Sequence, residues 1–109
     1  MTSRHPLRKR LHASCGDGWL WLLEDCLIQL ESFGLPVDVV RAGEKMGVLH
    51  IRIETPTTLS ASDQRRWEDI IRSTEEASMT TCEICGAPGC LRRSSTGTFA
   101  TRCDEHLEA

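Results

Sequence analysis

Tyrosine and asparagine are both absent from this sequence, and aromatic residues make up only 5% of its 109 positions. The missing asparagine argues against a His-Asn-His nuclease, the enzyme type to consider first for a small metal module. The shortage of rings leaves Phe99 as the only face for base stacking in the C-terminal segment. No apolar run approaches the roughly 18 residues of a membrane span, and the basic start MTSRHPLRKRLH leads into Ala13-Ser14-Cys15-Gly16-Asp17 rather than an apolar signal core. A cytoplasmic protein is the expectation. Gly43-Glu44-Lys45 lacks the glycine spacing and the Ser/Thr of a phosphate-cradling P-loop. Excess positive charge is missing too: the net charge of -3 combines +4 over residues 1–12 (Arg4, Arg8, Lys9, Arg10) with -7 over the remainder. Nonspecific duplex binding over a broad face needs the opposite balance.

What the chain does have is 39% hydrophobic and 27% charged residues, the composition of an ordinary globular domain, and six cysteines. In a chain not routed out of the cell, cysteines read as metal ligands before they read as disulfides.

Asp17 can cap a first helix in which Trp19, Leu22, Leu23, Cys26, Leu27, Leu30 and Phe33 form one stripe, ending at Gly34 ahead of Pro36. Leu20, Trp21 and Ile28 fall off the stripe, so this helix is either buried on two sides or shows apolar surface to a partner. Residues 37–41 and 48–54 read as a β-hairpin around 42–47, with Leu49, Ile51 and Ile53 facing one way and His50, Arg52 and Glu54 the other. Ser60 and Asp63 make an approximate capping box for a second helix with Trp67, Ile70, Ile71, Thr74 and Ala77 on its narrow apolar face. Its other faces alternate arginines with carboxylates, as a solvated surface does.

The strongest motif is Cys82-Glu83-Ile84-Cys85, seventeen residues, then Cys103-Asp104-Glu105-His106. Each pair can grip one side of a tetrahedral ion, and three thiolates with one imidazole fill all four positions of a structural zinc, leaving none for a catalytic water. Fewer than thirty residues with Ile84, Leu91 and Phe99 as apolar material cannot fold without the metal. Gly86 and Pro88-Gly89 supply turns, and 91–93 with 98–101 read as short strands. Cys90 is left either as a substitute ligand or as a plain turn residue.

Other candidates for chemistry have weaker support. His50 has no nucleophile that sequence can place beside it, Cys26 lies on an apolar stripe, and Cys15 sits near a helix start but without a base. Arg92, Arg93 and Arg102 form the best basic stripe for a nucleic acid, offset by Glu83, Asp104, Glu105 and Glu108.

Cys15-Gly16-Asp17-Gly18-Trp19, Glu44-Lys45-Met46-Gly47-Val48-Leu49-His50, Cys82-Glu83-Ile84-Cys85-Gly86-Ala87-Pro88-Gly89 and Thr101-Arg102-Cys103-Asp104-Glu105-His106 together resemble a group of small, mostly uncharacterised zinc-finger proteins of bacteriophages, prophages and proteobacterial genomes. The order of a GDGW helix, an EKxG hairpin and a CExCGxPG finger carries the likeness over residues 15 to 106. This chain departs from the pattern at Met46, His50 and Cys90. The resemblance implies a phage setting, in which small acidic proteins without an active site often occlude a host or defence machine, CRISPR complexes included.

The expected architecture is therefore α+β: two helices on a short antiparallel hairpin or sheet, with a treble-clef-like or ribbon-like finger. Its expected parts are a basic arm (1–14), a core (15–79) and a finger (80–109). The expected function is a non-catalytic, zinc-binding protein-interaction factor, phage-encoded as the resemblance implies and an inhibitor of a host or defence complex of CRISPR type, with that complex as partner. A nucleic-acid-binding finger using Arg92, Arg93 and Arg102 is the alternative; no membrane partner is expected, and a homodimer stays open.

Overall fold

The computed structural model describes residues 11–35, 37, 40–94 and 96–107. Along the chain run β1 (Leu11–Ser14), a 3-10 turn (Asp17–Trp19), α1 (Leu20–Glu31), β2 (Val40–Lys45), β3 (Val48–Arg52), α2 (Ala61–Ser78), β4 (Cys90–Arg93), β5 (Phe99–Arg102) and a second 3-10 turn (Asp104–His106). The class is α+β, with the Cys/His segment at the C-terminal end. One sheet has the order β1-β2-β3 and the other pairs β4 with β5.

α1 buries the stripe its periodicity marks: Trp19, Leu22, Leu23, Cys26, Leu27 and Leu30 are all inside. They meet Leu49 and Ile51 from β3, Ala42 from β2 and Trp67 from α2 in one core, over which Phe33 closes edge-on against Trp67 at 5.6 Å. Alternation explains the sheet's contribution, because Ala42 and Ile51 are cross-strand partners on the inner face while the neighbouring positions turn outward. Met46 and Gly47, at φ 55° and 83°, form the tight two-residue turn that joins β2 to β3. β3 lies at the sheet edge, and α2 covers its free amides: Leu49 N–H donates to the Ser78 hydroxyl at 2.9 Å and Ile51 N–H to the Glu75 carboxylate at 2.8 Å. Ser60 caps α2 by accepting from Asp63 N–H at 3.2 Å, as its sequence suggests.

Three expectations change. Asp17 makes no side-chain cap; the free amide at Gly18 is instead taken by the Glu83 carbonyl, 65 residues away, at 2.9 Å. The first hairpin strand begins at Val40 and runs on to Lys45, because the turn needs only two residues once Gly47 supplies a left-handed backbone. Residues 11–14 of the expected arm form β1, pairing parallel with β2 from Leu11↔Val40 to Ser14↔Gly43, so the sheet is mixed rather than antiparallel. Residues 1–10 of that arm, Pro36 and the 38–39 part of the expected strand lie outside the described residues.

Candidate metal centre

The first ligand pair sits on a knuckle formed by residues 82–87. Cys82 N–H donates to the Ala87 carbonyl at 2.7 Å, and Gly86 N–H returns to the Cys82 carbonyl at 2.9 Å with Gly86 at φ +82°. Only a residue free of a Cβ takes that conformation without strain. The second pair comes from the end of β5: Cys103 opens the last 3-10 turn, where His106 N–H donates to the Cys103 carbonyl at 3.1 Å. That single turn brings a side chain three residues on back beside the cysteine.

Cys82, Cys85, Cys103 and His106 thereby converge, with all four donor atoms within 4.8 Å of one another. Cys85 Sγ to Cys103 Sγ is 3.7 Å, Cys82 Sγ to His106 Nδ1 is 3.7 Å and Cys103 Sγ to His106 Nδ1 is 3.2 Å. A tetrahedron with zinc–sulfur bonds of about 2.3 Å has sulfur–sulfur edges of about 3.8 Å. The donors are thus spaced for one tetrahedral ion, and soft sulfur with imidazole nitrogen is consistent with structural zinc.

Local hydrogen bonding prepares the Cys82 thiolate. Burial pushes the Cys82 thiol up, but amides of Cys103, Cys85 and Ile84 directed at the sulfur outweigh it and hold the group at about 6, below its ordinary 9.0. At Cys85 the Ala87 amide favours the thiolate, yet desolvation and the adjacent sulfurs of Cys103 and Cys82 raise the group. Adjacent thiolates repel, and a divalent cation at the centre removes that repulsion. Cys90 stands apart, exposed at the start of β4 opposite Arg102, and is not one of the four converging residues.

The arginines expected to form a basic stripe are engaged within the finger. Arg102, 15% exposed, pairs with the equally buried Glu83 at 3.4 Å and donates to the His106 carbonyl at 3.1 Å. Arg92 reaches Asp104 at 3.1 Å, and Arg93 lies over the Phe99 ring, 5.9 Å from its centroid. Glu83 is the residue whose importance sequence reasoning missed. Its carboxylate braces Arg102 and the Thr101 amide, and its carbonyl accepts from Gly18.

The knuckle rests directly on the start of α1. A Cβ on Gly18 would stand 2.2 Å from the Cys82 carbonyl oxygen and 2.6 Å from Gly86 N, and one on Gly16 would stand 2.2 Å from the Glu83 oxygen. Buried Trp19 donates its indole N–H to the Thr81 carbonyl at 2.8 Å. On the other flank, Gly47 lies against Leu91, Phe99 and Ala100, and the fully buried Thr101 hydroxyl donates to the Gly47 carbonyl at 2.7 Å. Replacing Thr101 by valine should leave that carbonyl without its donor and lower stability by about 1–3 kcal/mol, measured by urea unfolding of the metal-loaded chain.

Searches against family models, curated proteins and solved structures find no match to the chain. Elsewhere, burial pushes the half-buried Cys15 thiol up, with the Glu83 and Asp17 carboxylates adding to the shift. Burial likewise raises buried Cys26, partly offset by the Thr74 hydroxyl. Both shifts run against a reactive thiolate at pH 7. His50 is exposed on the outer face of the sheet. No helix among the described residues is long and apolar enough to cross a membrane.

Proposed function

We propose that the chain is a non-catalytic binding protein whose finger is stapled by one structural zinc ion, and that it docks a protein partner through the outward face of α1. The observation that carries the zinc reading is the closed set of four donors at tetrahedral spacing, which gives the ion no open coordination position. Two exposed side chains support the docking reading. Trp21 and Ile28 stand seven residues apart, hence on one face of α1, and are 53% and 50% exposed. Asp25 lies between them and accepts from Gln29. An apolar anchor beside a carboxylate suits a protein pocket bordered by cations.

The finer reading is that the partner is a host or defence complex, of CRISPR type among others, and that the protein is phage-encoded. Its support is the motif order GDGW, EKMG and CEICGAPG together with the acidic balance of the chain outside residues 1–12. A tagged, zinc-loaded chain should retain one stoichiometric protein from a nuclease-treated bacterial lysate, and Trp21→Ser with Ile28→Ser should lose it; because the Trp21 indole rests against Gly86 of the knuckle, the variant is also checked for one bound zinc equivalent and a cooperative thermal transition. Retention of the same protein by the double variant would rule out this face.

A further inference from the structure

Opposite the helices, the outer face of the β2–β3 sheet is open and cationic. Arg41 and Arg52 are direct cross-strand partners, His50 stands opposite Gly43 on the next outward rung, and Lys45 stands opposite Val48 on the one after. Arg41, Lys45, His50 and Arg52 are all exposed, and none takes part in an ion pair among the described residues. Because Gly43 has no side chain, the middle of the face is hollow, and these four residues ring a concavity of about 510 Å³. Two acids border it. Glu44 is committed to the Gly47 amide at the turn, and exposed Glu54 lies beyond Arg52.

Like charges placed directly across an antiparallel pair destabilise a sheet. Here the pair is two arginines, in a chain where carboxylates outnumber lysines and arginines 16 to 13. We propose that this face binds the phosphate backbone of a nucleic-acid duplex, with the guanidinium forks of Arg41 and Arg52 and the Lys45 ammonium each meeting a phosphate oxygen and His50 adding a ring nitrogen.

The chemistry of the surface selects that occupant. Arginine's planar fork matches phosphate oxygens two at a time. His50 carries the one ring among the residues that line the concavity, so the successive bases of a single strand find no run of stacking platforms there. Nor does the concavity hold a large apolar side chain to enter a membrane. Threonines 55, 57 and 58 border the groove that continues from Arg52, and hydroxyls of this kind commonly contact phosphate. On α2, packed against the other side, Asp63 and Asp69 are paired with Arg66 and Arg72, while exposed Glu68 and Glu76 outnumber the remaining Arg65 and disfavour phosphate there. The inference is independent of the α1 docking face and goes beyond it, to a protein with two binding sides.

Fluorescence anisotropy with a labelled DNA duplex of about two helical turns tests it on the full, metal-loaded chain. Three phosphate contacts predict a log–log salt slope near -3, so affinity should fall about 40-fold between roughly 50 and 200 mM salt. Arg41→Gln with Arg52→Gln should weaken binding at least tenfold and flatten the slope by about 2, whereas Arg92→Gln with Arg93→Gln should change neither. Arg52→Glu sets an acid opposite Arg41; it should melt no lower than the parent chain and still lose the duplex. The proposal is overturned by absence of binding at about 50 mM salt, by full affinity in the Arg41/Arg52 variant, by equal loss in the Arg92/Arg93 variant, or by tighter binding of poly-glutamate than of the duplex. A protein partner that survives in the sheet variants and disappears with Trp21 and Ile28 leaves the two faces separately assigned.

Discussion

Stripping the metal with a strong chelator should abolish the cooperative unfolding of the chain, not merely loosen its last thirty residues. Zinc binding to small fingers supplies roughly 10–16 kcal/mol, as much as the whole stability of a typical domain at about 5–15 kcal/mol. The finger's own apolar side chains cannot replace it, since Ile84 and Leu91 are both more than a third exposed. Loss of the ion frees the knuckle, and the knuckle accepts from the Gly18 amide and covers Trp19, which is fully buried and bonded to Thr81. Core and finger should therefore fail together. Cys103→Ser, which removes a buried ligand, should bind less than one equivalent of zinc and lose the sharp thermal transition followed by circular dichroism. Cys90→Ser, outside the donor set, should stay within about 0.5 kcal/mol of the parent.

Acid should act in the same direction as the chelator, because protons compete with metal for the thiolates. The Cys82 thiol is held below its ordinary value in the folded chain, so its contribution to stability is fully present above pH 9.0 and is lost as pH falls through about 6. Metal retention followed with a zinc-sensitive dye should decline as the solution is acidified, because protons displace the ion from its thiolates. A chain that kept its transition and its zinc-free fold at neutral pH would show that the ion is not the staple.

The elements were legible in the sequence wherever one local cause determines them. Helical periodicity marked Leu22, Leu23, Cys26, Leu27 and Leu30 as one buried face, and the spacing of Cys82, Cys85, Cys103 and His106 marked the donor set before any coordinates. β1 was not legible. Leu11 to Ser14 alternate apolar and polar over only four residues, too short a run to separate them from a tail, and their parallel pairing is set by a strand nearly thirty positions away. The arginines of the finger were readable as cations but not as spent ones: Arg102 faces Glu83 only because the knuckle folds over β5. Glycine spoke most clearly in hindsight. Gly16, Gly18 and Gly47 each lie where the finger's backbone touches the core. Their placement records a packing interface, which a reading confined to helix caps and hairpin turns assigns to local structure.

Gly18→Ala tests that interface with one methyl group. The added Cβ would meet the Cys82 oxygen at 2.2 Å, Gly86 N at 2.6 Å and the Glu83 carbonyl carbon at 2.7 Å, all backbone atoms that cannot rotate away. Relief requires lifting the knuckle off α1, which stretches the Gly18–Glu83 hydrogen bond and opens the cover over Trp19. Overpacking and the weakened bond together should cost about 3–4 kcal/mol, lowering Tm by about 10–20 °C. Zinc affinity should fall at least tenfold as well, although Gly18 touches no metal, because the knuckle amides that hold the Cys82 thiolate move with it. Gly34→Ala separates this effect from ordinary glycine strain. At φ +82° with nothing within 4 Å, it should cost about 1 kcal/mol and leave zinc affinity unchanged. If Gly18→Ala destabilised the chain while zinc bound as tightly as before, core and finger would be separate folding units, and the ion would stabilise only its own module.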